Sequence, residues 1–200
     1  MSFTILTVCS GNICRSPLAE QLLRVGLAGV DGVTVGSAGT IAMVGAGMPP
    51  EAKALAVRYG STEAESHQGR QLDEQAIRAA DLVLGLAREH RRAVVELVPA
   101  ATRRTFTLRE FAHLATSVTD SDLYEAASPL SDGTVSSRLR DAIVAAASLR
   151  GVVEPFNSPD DADVVDPYRR SAAVYEQSAA QLVPAVQSTV ALLVRAAQRA

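Results

Sequence analysis

Short apolar runs alternate with stretches of helical periodicity through the first 115 residues. The apolar runs that predict buried strands cover residues 3–8, 33–35, 81–86 and 105–107. The stretches that predict helices cover residues 17–27, 51–59, 72–79, 88–98 and 108–115. Strands that alternate with helices favour a parallel sheet covered on both faces. We therefore predict an α/β fold whose ligand site lies at the carboxyl ends of the strands, where Cys9 is found.

The second half of the chain has less regular patterns. Residues 116–163 are rich in Ser, Asp and Ala, with one predicted helix at 136–149. An amphipathic helix is predicted over 171–199, and Pro184 should kink or split it. Because no internal repeat is present, we interpret residues 1–200 as one domain with an extended segment of unknown role at 116–163.

Composition and charge exclude several classes of protein. Hydrophobic residues make up 48% of the chain and charged residues 20%, which suits a soluble core. The net charge of −3 gives no strong attraction to nucleic acid or membrane. The sequence has neither the roughly eighteen unbroken apolar residues of a membrane span nor a basic secretory start. We expect a cytoplasmic protein without nucleic-acid or membrane partners.

The two cysteines, Cys9 and Cys14, lie five positions apart near the N-terminus. They are too few for the disulfide framework of a secreted protein. A zinc site needs four well-spaced ligands, and nothing beside this pair supplies them. The pair therefore indicates chemistry rather than a structural role, and no metal is expected.

The loop after Cys9 joins a strand to the start of a helix, because Ser16 followed by Pro17 is typical of a helix N-terminus. In such a turn, successive backbone N–H groups point into a concave nest that suits a tetrahedral oxyanion. The predicted phosphate-binding residues are Ser10, Gly11, Asn12, Ile13, Cys14, Arg15 and Ser16.

The residue types in this loop suit nucleophilic phosphoryl transfer. Cys9 is the predicted nucleophile, because the nest and the helix dipole favour a thiolate. Arg15 is planar and permanently charged, so it can hold two phosphate oxygens. Gly11 allows close backbone approach, and Asn12 tolerates a left-handed backbone that turns its N–H inward. Ser16 is expected to cap the helix and to hydrogen-bond Cys9.

Turnover also requires a group that protonates the leaving oxygen and later accepts a proton from water. Four aspartates lie between residues 160 and 166, and distance along the chain excludes none of them. Asp166 is favoured, because it follows an apolar pair at 164–165 and Pro167 stiffens the next position. The predicted catalytic residues are Cys9, Arg15 and Asp166.

The segment VCSGNICRSP at residues 8–17 resembles the signature of the low-molecular-weight protein tyrosine phosphatases. Further similar segments lie at residues 37–40, 67–72 and 166–168, and the resemblance covers residues 3–115 and 164–195. It implies a three-layer fold with a four-stranded parallel sheet, and neither metal nor cofactor. It also implies that Asn12, Ser16, Ser37 and His67 form a network that supports the loop at residues 9–16, here called the phosphate loop.

The resemblance implies hydrolysis of phosphotyrosine on proteins through a cysteinyl-phosphate intermediate, with the Asp-Pro aspartate as the acid. Arginine-phosphatase members tend to carry Thr at the position of Ile13, and tyrosine-phosphatase members Ile. Substrate-lining roles are expected for Ile13, Met43 and Tyr168, although Tyr168 also fits a packing role. The loop at 41–45 lacks the aromatic side chain that many members place beside the substrate ring.

Other interpretations stay open at this point. An arsenate reductase on the same fold usually recruits further cysteines, and none follows Cys14. A phosphoarginine phosphatase would use the same loop with different pocket walls. A phosphoprotein-binding module without turnover is disfavoured by the presence of both Cys9 and Asp166. Cys14 is either a small core residue or a redox partner that traps oxidised Cys9 as a disulfide.

Overall fold

The computed structural model describes residues 2–127 and 132–199. The strands of its sheet are Phe3–Cys9 (β1), Val33–Gly39 (β2), Leu82–Gly85 (β3) and Thr105–Thr107 (β4). The α-helices of the described residues are Arg15–Gly26 (α1), Pro50–Arg58 (α2), Glu74–Ala79 (α3), Arg88–Leu97 (α4), Leu108–Ser117 (α5), Asp120–Glu125 (α6), Val135–Ser148 (α7) and Ala172–Ala197 (α8). Short 3₁₀ helices lie at Ala64–Ser66, Pro99–Arg104 and Pro159–Ala162.

All four strands run parallel, in the order β2-β1-β3-β4, which confirms the predicted fold class. Parallel strands place their carboxyl ends at one edge of the sheet. Cys9 ends β1 opposite Gly39, which ends β2. Gly85 and Thr107 end the other two strands at the same edge. The predicted nucleophile therefore lies at the centre of the edge where a ligand site is expected.

The sheet is buried on both faces because its strands are apolar on both. Phe3 and Ile5 of β1 pack into one hydrophobic core with residues of α1, α2 and α5–α8. Leu6 and Val8, on the other face, join a smaller core with residues of α3 and α4. Helices thus cover the sheet on either side and make the three layers.

The described part of the extended segment at 116–163 contains the α-helices α6 and α7 and the 3₁₀ helix at Pro159–Ala162. Residues 128–131 lie outside the described residues. Helix α7 matches the helix predicted at 136–149 to within one residue at each end, and its Leu139 is fully buried in the larger core. Helix α6 was not predicted. It begins with a capping box, in which the Thr119 and Asp122 side chains bond each other's backbone N–H groups.

Pro184 was predicted to kink or split helix α8; the helix runs unbroken through Pro184, so the split is wrong. A proline inside a helix removes one backbone hydrogen bond, and packing of the remaining turns compensates for it here. An 18-residue window of α8 has a mean hydropathy of 1.3, which is apolar enough to cross a membrane. Half of that window is buried, and the helix packs against α1, α2, α5 and α7, as a core helix does.

Candidate active site

The loop between β1 and α1 surrounds a buried thiol. Cys9 is 2% exposed. Its Sγ accepts a hydrogen bond from the backbone N–H of Asn12 at 3.3 Å. The Oγ of Ser16 lies 3.0 Å from the same sulfur and can donate to a thiolate there. Two donors therefore face the sulfur, one from the loop and one from the first turn of α1, an arrangement that stabilises negative charge.

Helix α1 begins two residues earlier than predicted. Arg15 is its first residue and Cys14 is the N-cap, so Ser16 lies inside the first turn and does not cap the helix. This placement frees the Ser16 hydroxyl from the helix backbone. It contacts Cys9 and accepts a hydrogen bond from Asn12 Nδ2 at 2.9 Å.

Asn12 has a φ of 54°, the left-handed backbone expected from the sequence. Its fully buried side chain donates from Nδ2 to the hydroxyl oxygens of Ser16 at 2.9 Å and Ser37 at 2.8 Å. Its Oδ1 accepts from the backbone N–H of Arg70 at 2.8 Å. Its carbonyl oxygen lies 2.7 Å from Nε2 of His67. These contacts fix a conformation that costs a non-glycine residue about 1–2 kcal/mol.

The carbonyl groups of the loop are directed away from the sulfur. The carbonyl oxygens of Cys9, Ser10 and Gly11 accept hydrogen bonds from the backbone N–H groups of residues 40, 41 and 43, at 2.9–3.0 Å. No backbone hydrogen bond within the described residues uses the N–H groups of Gly11, Ile13 or Cys14. The loop therefore presents donors without partners, as an oxyanion nest requires.

A buried carboxylate completes this network and was missed from the sequence. Glu20, 3% exposed, accepts a hydrogen bond from the Ser37 hydroxyl at 2.5 Å and forms an ion pair with Arg24 at 2.5 Å, one turn further along α1. Because Ser37 donates to Glu20, its oxygen is free to accept from Asn12. The only sequence signal was the four-residue spacing of Glu20 and Arg24, which is usually read as a surface pair.

Arg15 joins the loop to the segment that carries the predicted acid. Its guanidinium is 5% exposed and donates from Nη1 to the carbonyl oxygen of Val164 at 3.1 Å. Nη2 contacts Oδ2 of Asp166 at 2.7 Å and Oγ of Ser10 at 3.4 Å. The backbone N–H of Val164 in turn bonds the carbonyl of Leu86, just beyond β3, at 2.9 Å. Asp166 is thus anchored beside the loop although 151 positions separate it from Arg15.

The other three aspartates near Asp166 have structural contacts elsewhere. Asp160 and Asp163 both form ion pairs with Arg88 at the start of α4. Asp161 bonds the backbone N–H of Ser158 in a capping box. Of the four, Asp166 alone lines the cavity above Cys9 in the described residues.

This cavity has a volume of about 240 Å³. The residues that line it are Cys9, Ser10, Gly11, Ile13, Cys14, Arg15, Ile41, Met43, Asp166 and Tyr168. It includes the three side chains expected to line a substrate pocket, Ile13, Met43 and Tyr168. Ile41 was not predicted, because an 80% exposed residue in a loop has no pattern that places it beside Cys9.

Cys14 is a buried thiol beside the last helix. Its Sγ lies 3.7 Å from the hydroxyl of Tyr175, and both cysteines are free. Burial raises the pKa of Cys14 to about 12. The thiol is therefore protonated and unreactive at neutral pH in this reduced form. Its role as a redox partner of Cys9 stays a prediction.

Comparison with known proteins agrees with this geometry. The family model described as low molecular weight phosphotyrosine protein phosphatase matches residues 4–131. The chain belongs to this family. The match includes the whole phosphate loop and the sheet, and it ends before Asp166.

Relatives in the low molecular weight phosphatase family include a tyrosine phosphatase and an arginine phosphatase. The chain is 39% identical over 107 residues to a probable low molecular weight protein-tyrosine-phosphatase, EpsP, of Ralstonia solanacearum, covering 54% of this chain and 71% of the relative. It is 38% identical over 123 residues to a protein-arginine-phosphatase of Geobacillus stearothermophilus, covering 62% of this chain and 78% of the relative.

Solved structures extend the likeness over nearly the whole chain. The tyrosine phosphatase AmsI of Erwinia amylovora shares the fold with a TM-score of 0.65 at 24% identity, covering all of this chain and 95% of the neighbour. The YwlE arginine phosphatase of Geobacillus stearothermophilus gives a TM-score of 0.66 at 26% identity, and the match covers 96% of this chain and 94% of the neighbour. The likeness of fold therefore extends beyond the end of the family match, into the part of the chain that contains Asp166.

Replacement of Gly39 by alanine should weaken oxyanion binding. A Cβ atom at Gly39 would lie 2.5 Å from the backbone oxygen of Ser10, so the phosphate loop must shift. Overpacking of this kind costs about 1–3 kcal/mol, which corresponds to a loss of about 5- to 150-fold in affinity. Titration calorimetry with inorganic phosphate measures this loss.

Gly29→Ala is the matched control for this prediction, because a Cβ at Gly29 has no heavy atom within 4 Å. It should bind phosphate as the wild-type protein does. Equal phosphate affinity of the Gly39→Ala and Gly29→Ala proteins would contradict the idea that the end of β2 holds the loop in position.

Proposed function

We propose that the protein hydrolyses phosphotyrosine on protein substrates through a cysteinyl-phosphate intermediate, in the cytoplasm. The observation that carries this proposal is the convergence of Cys9, Arg15 and Asp166 on one small cavity. Membership of the phosphatase family supports it independently. Two free cysteines suit a reducing compartment, where a catalytic thiol survives.

Phosphate binding would use the loop and Arg15 together. The N–H groups of the loop receive the phosphoryl oxygens, and the guanidinium of Arg15 takes two of them in a bidentate contact. In the free protein, Nη2 of Arg15 is bonded to Asp166. A phosphoryl oxygen that takes this nitrogen releases the Asp166 carboxyl towards the leaving oxygen.

Two steps would follow, each with one bond formed and one broken at phosphorus. In the first, the Cys9 thiolate attacks phosphorus, the bond to the tyrosine oxygen breaks, and Asp166 donates a proton to that oxygen. In the second, Asp166 takes a proton from water, the water oxygen attacks phosphorus, and the bond to sulfur breaks. Free phosphate and the thiolate of Cys9 are then regenerated.

The apolar cavity wall favours an aryl substrate. Ile13 is 4% exposed, while Met43 and Ile41 present large apolar side chains above the loop. A flat phenyl ring can be buried between these side chains and Tyr168. The charged guanidinium of phosphoarginine would need a polar partner there, and the lining beyond the phosphate loop offers Asp166 for that purpose. This carboxyl and the arginine-phosphatase relative make phosphoarginine the second candidate substrate.

Initial rates on matched peptides that carry phosphotyrosine, phosphoarginine or phosphoserine test the proposal, with arsenate reduction measured in parallel. We expect phosphotyrosine to be hydrolysed at least about tenfold faster than phosphoarginine. Differences in pocket contacts typically discriminate between substrates by such a factor. Cys9→Ala should lose all hydrolysis. Faster release from phosphoarginine would assign the second function, and arsenate reduction without phosphate release would assign a reductase.

If Asp166 is the general acid, the loss of rate in Asp166→Asn should depend on the leaving group of the substrate. The amide keeps the size of the carboxyl and cannot donate the required proton, so kcat on phosphotyrosine should fall by about 10²–10⁴-fold. An aryl phosphate with electron-withdrawing nitro groups needs less protonation and should be slowed far less.

Asp160→Asn is the matched control, since Asp160 is an exposed aspartate of the same loop that contacts Arg88 rather than Arg15. It should leave both rates near those of the wild-type protein. If Asp166→Asn slowed good and poor leaving groups equally, another group would have to supply the proton.

A further inference from the structure

His90 lies beside the phosphate loop, and the proposed mechanism gives it no role. It is the third residue of α4, and its side chain is 1% exposed. Its Nε2 lies 2.9 Å from Oγ of Ser10, which precedes it by 80 positions. A buried imidazole that contacts the predicted phosphate-binding loop through a ring nitrogen can do more than fill space in the core.

The surroundings of His90 decide which ring nitrogen carries the proton. Burial and the positive charge of Arg15 lower the pKa of His90 to about 4, so the ring is neutral and has one N–H. Nε2 faces the Ser10 oxygen and, at 3.4 Å, a carboxylate oxygen of Glu89, which can only accept. Nδ1 is buried without a hydrogen-bond partner in the described residues. A proton on Nδ1 would be a buried donor without an acceptor, which is costly, so the proton is on Nε2.

The Ser10 hydroxyl is consequently surrounded by donors. Its oxygen accepts from Nε2 of His90 at 2.9 Å and from Nη2 of Arg15 at 3.4 Å. A hydroxyl oxygen has two lone pairs, so these two donors occupy both. The hydroxyl proton is left for a third partner, and Ser10 lines the cavity directly beside Cys9.

We propose that His90 is a positioning residue that, together with Arg15, turns the Ser10 hydroxyl towards a phosphoryl oxygen, which makes the Ser10 side chain a phosphate ligand. The inference rests on the proposed function only in that the cavity receives a phosphoryl group. Nη2 of Arg15 contacts both Ser10 and Asp166. The guanidinium therefore keeps one protein partner at this nitrogen when Asp166 is released.

The test is a double-mutant cycle read by phosphate binding. The proteins are wild type, Ser10→Ala, His90→Phe and Ser10→Ala with His90→Phe, titrated with inorganic phosphate by calorimetry. Ser10→Ala should weaken binding about tenfold, the effect of one hydrogen bond to a charged group. His90→Phe keeps the volume of a buried ring and should weaken binding by a similar factor. The double variant should be no weaker than Ser10→Ala alone, because His90 acts through Ser10.

Two further variants separate positioning from packing. His90→Gln retains an N–H donor of similar reach and should restore phosphate affinity close to that of the wild type. His113→Phe is the matched control, because His113 bonds a backbone carbonyl at 2.8 Å elsewhere in the fold. It should bind phosphate normally. The kinetic readout is kcat/KM on an aryl phosphate, which should follow the phosphate affinities of all these proteins.

Unchanged phosphate affinity in Ser10→Ala or His90→Phe would overturn the inference, and so would fully additive effects in the double variant. If His90→Phe fails to fold, His90→Gln and Ser10→Ala carry the test: weak phosphate binding by His90→Gln would overturn it. A wild-type protein that binds phosphate but hydrolyses no phosphorylated substrate would instead overturn the proposed function. The phosphate titrations would still decide the role of His90.

Discussion

A buried asparagine side chain holds the loop between β1 and α1 in a shape that its backbone disfavours. The amide of Asn12 bonds Ser16, Ser37 and the backbone of Arg70, and these contacts keep its φ at 54°. The turn directs the Asn12 N–H to the Cys9 sulfur, while the loop carbonyls bond the segment after β2. Every later feature of the site depends on this arrangement, because a loop with inward carbonyls would repel both a thiolate and a phosphate.

The positive charge of Arg15 has one anionic partner in the free protein and, in the proposed mechanism, another when substrate is bound. The Arg15 guanidinium is bonded to Asp166 in the free protein, and the same nitrogen is the natural partner of a phosphoryl oxygen. In the proposed mechanism, exchange of one anion for the other couples substrate binding to release of the acid. Ser10 and Val164 also contact the guanidinium, so its orientation does not depend on Asp166 alone.

The sequence predicted those parts of the fold and site that local patterns determine. Hydrophobic periodicity and turn residues predicted the four strands and most helices. The sequence motif of the loop after β1 indicated Cys9 and Arg15. Contacts between distant segments were not predictable in this way: His90 reaches Ser10 across 80 positions, and Ile41 enters the cavity from an exposed loop. The Ser16 cap was wrong because the loop folds Cys14 into the cap position. The split at Pro184 was wrong because tertiary packing of α8 outweighs one lost hydrogen bond.

In the proposed mechanism, Cys9 itself becomes phosphorylated. Turnover of a phosphotyrosine peptide can be quenched rapidly with acid, and the peptide that contains Cys9 and Cys14 can then be analysed by mass spectrometry. We expect a phosphoryl group on the Cys9 sulfur, formed and lost at the rate of turnover, and none on Cys14. Sustained phosphate release with no phosphoryl group on Cys9, or with Cys9 replaced by alanine, would rule out this mechanism.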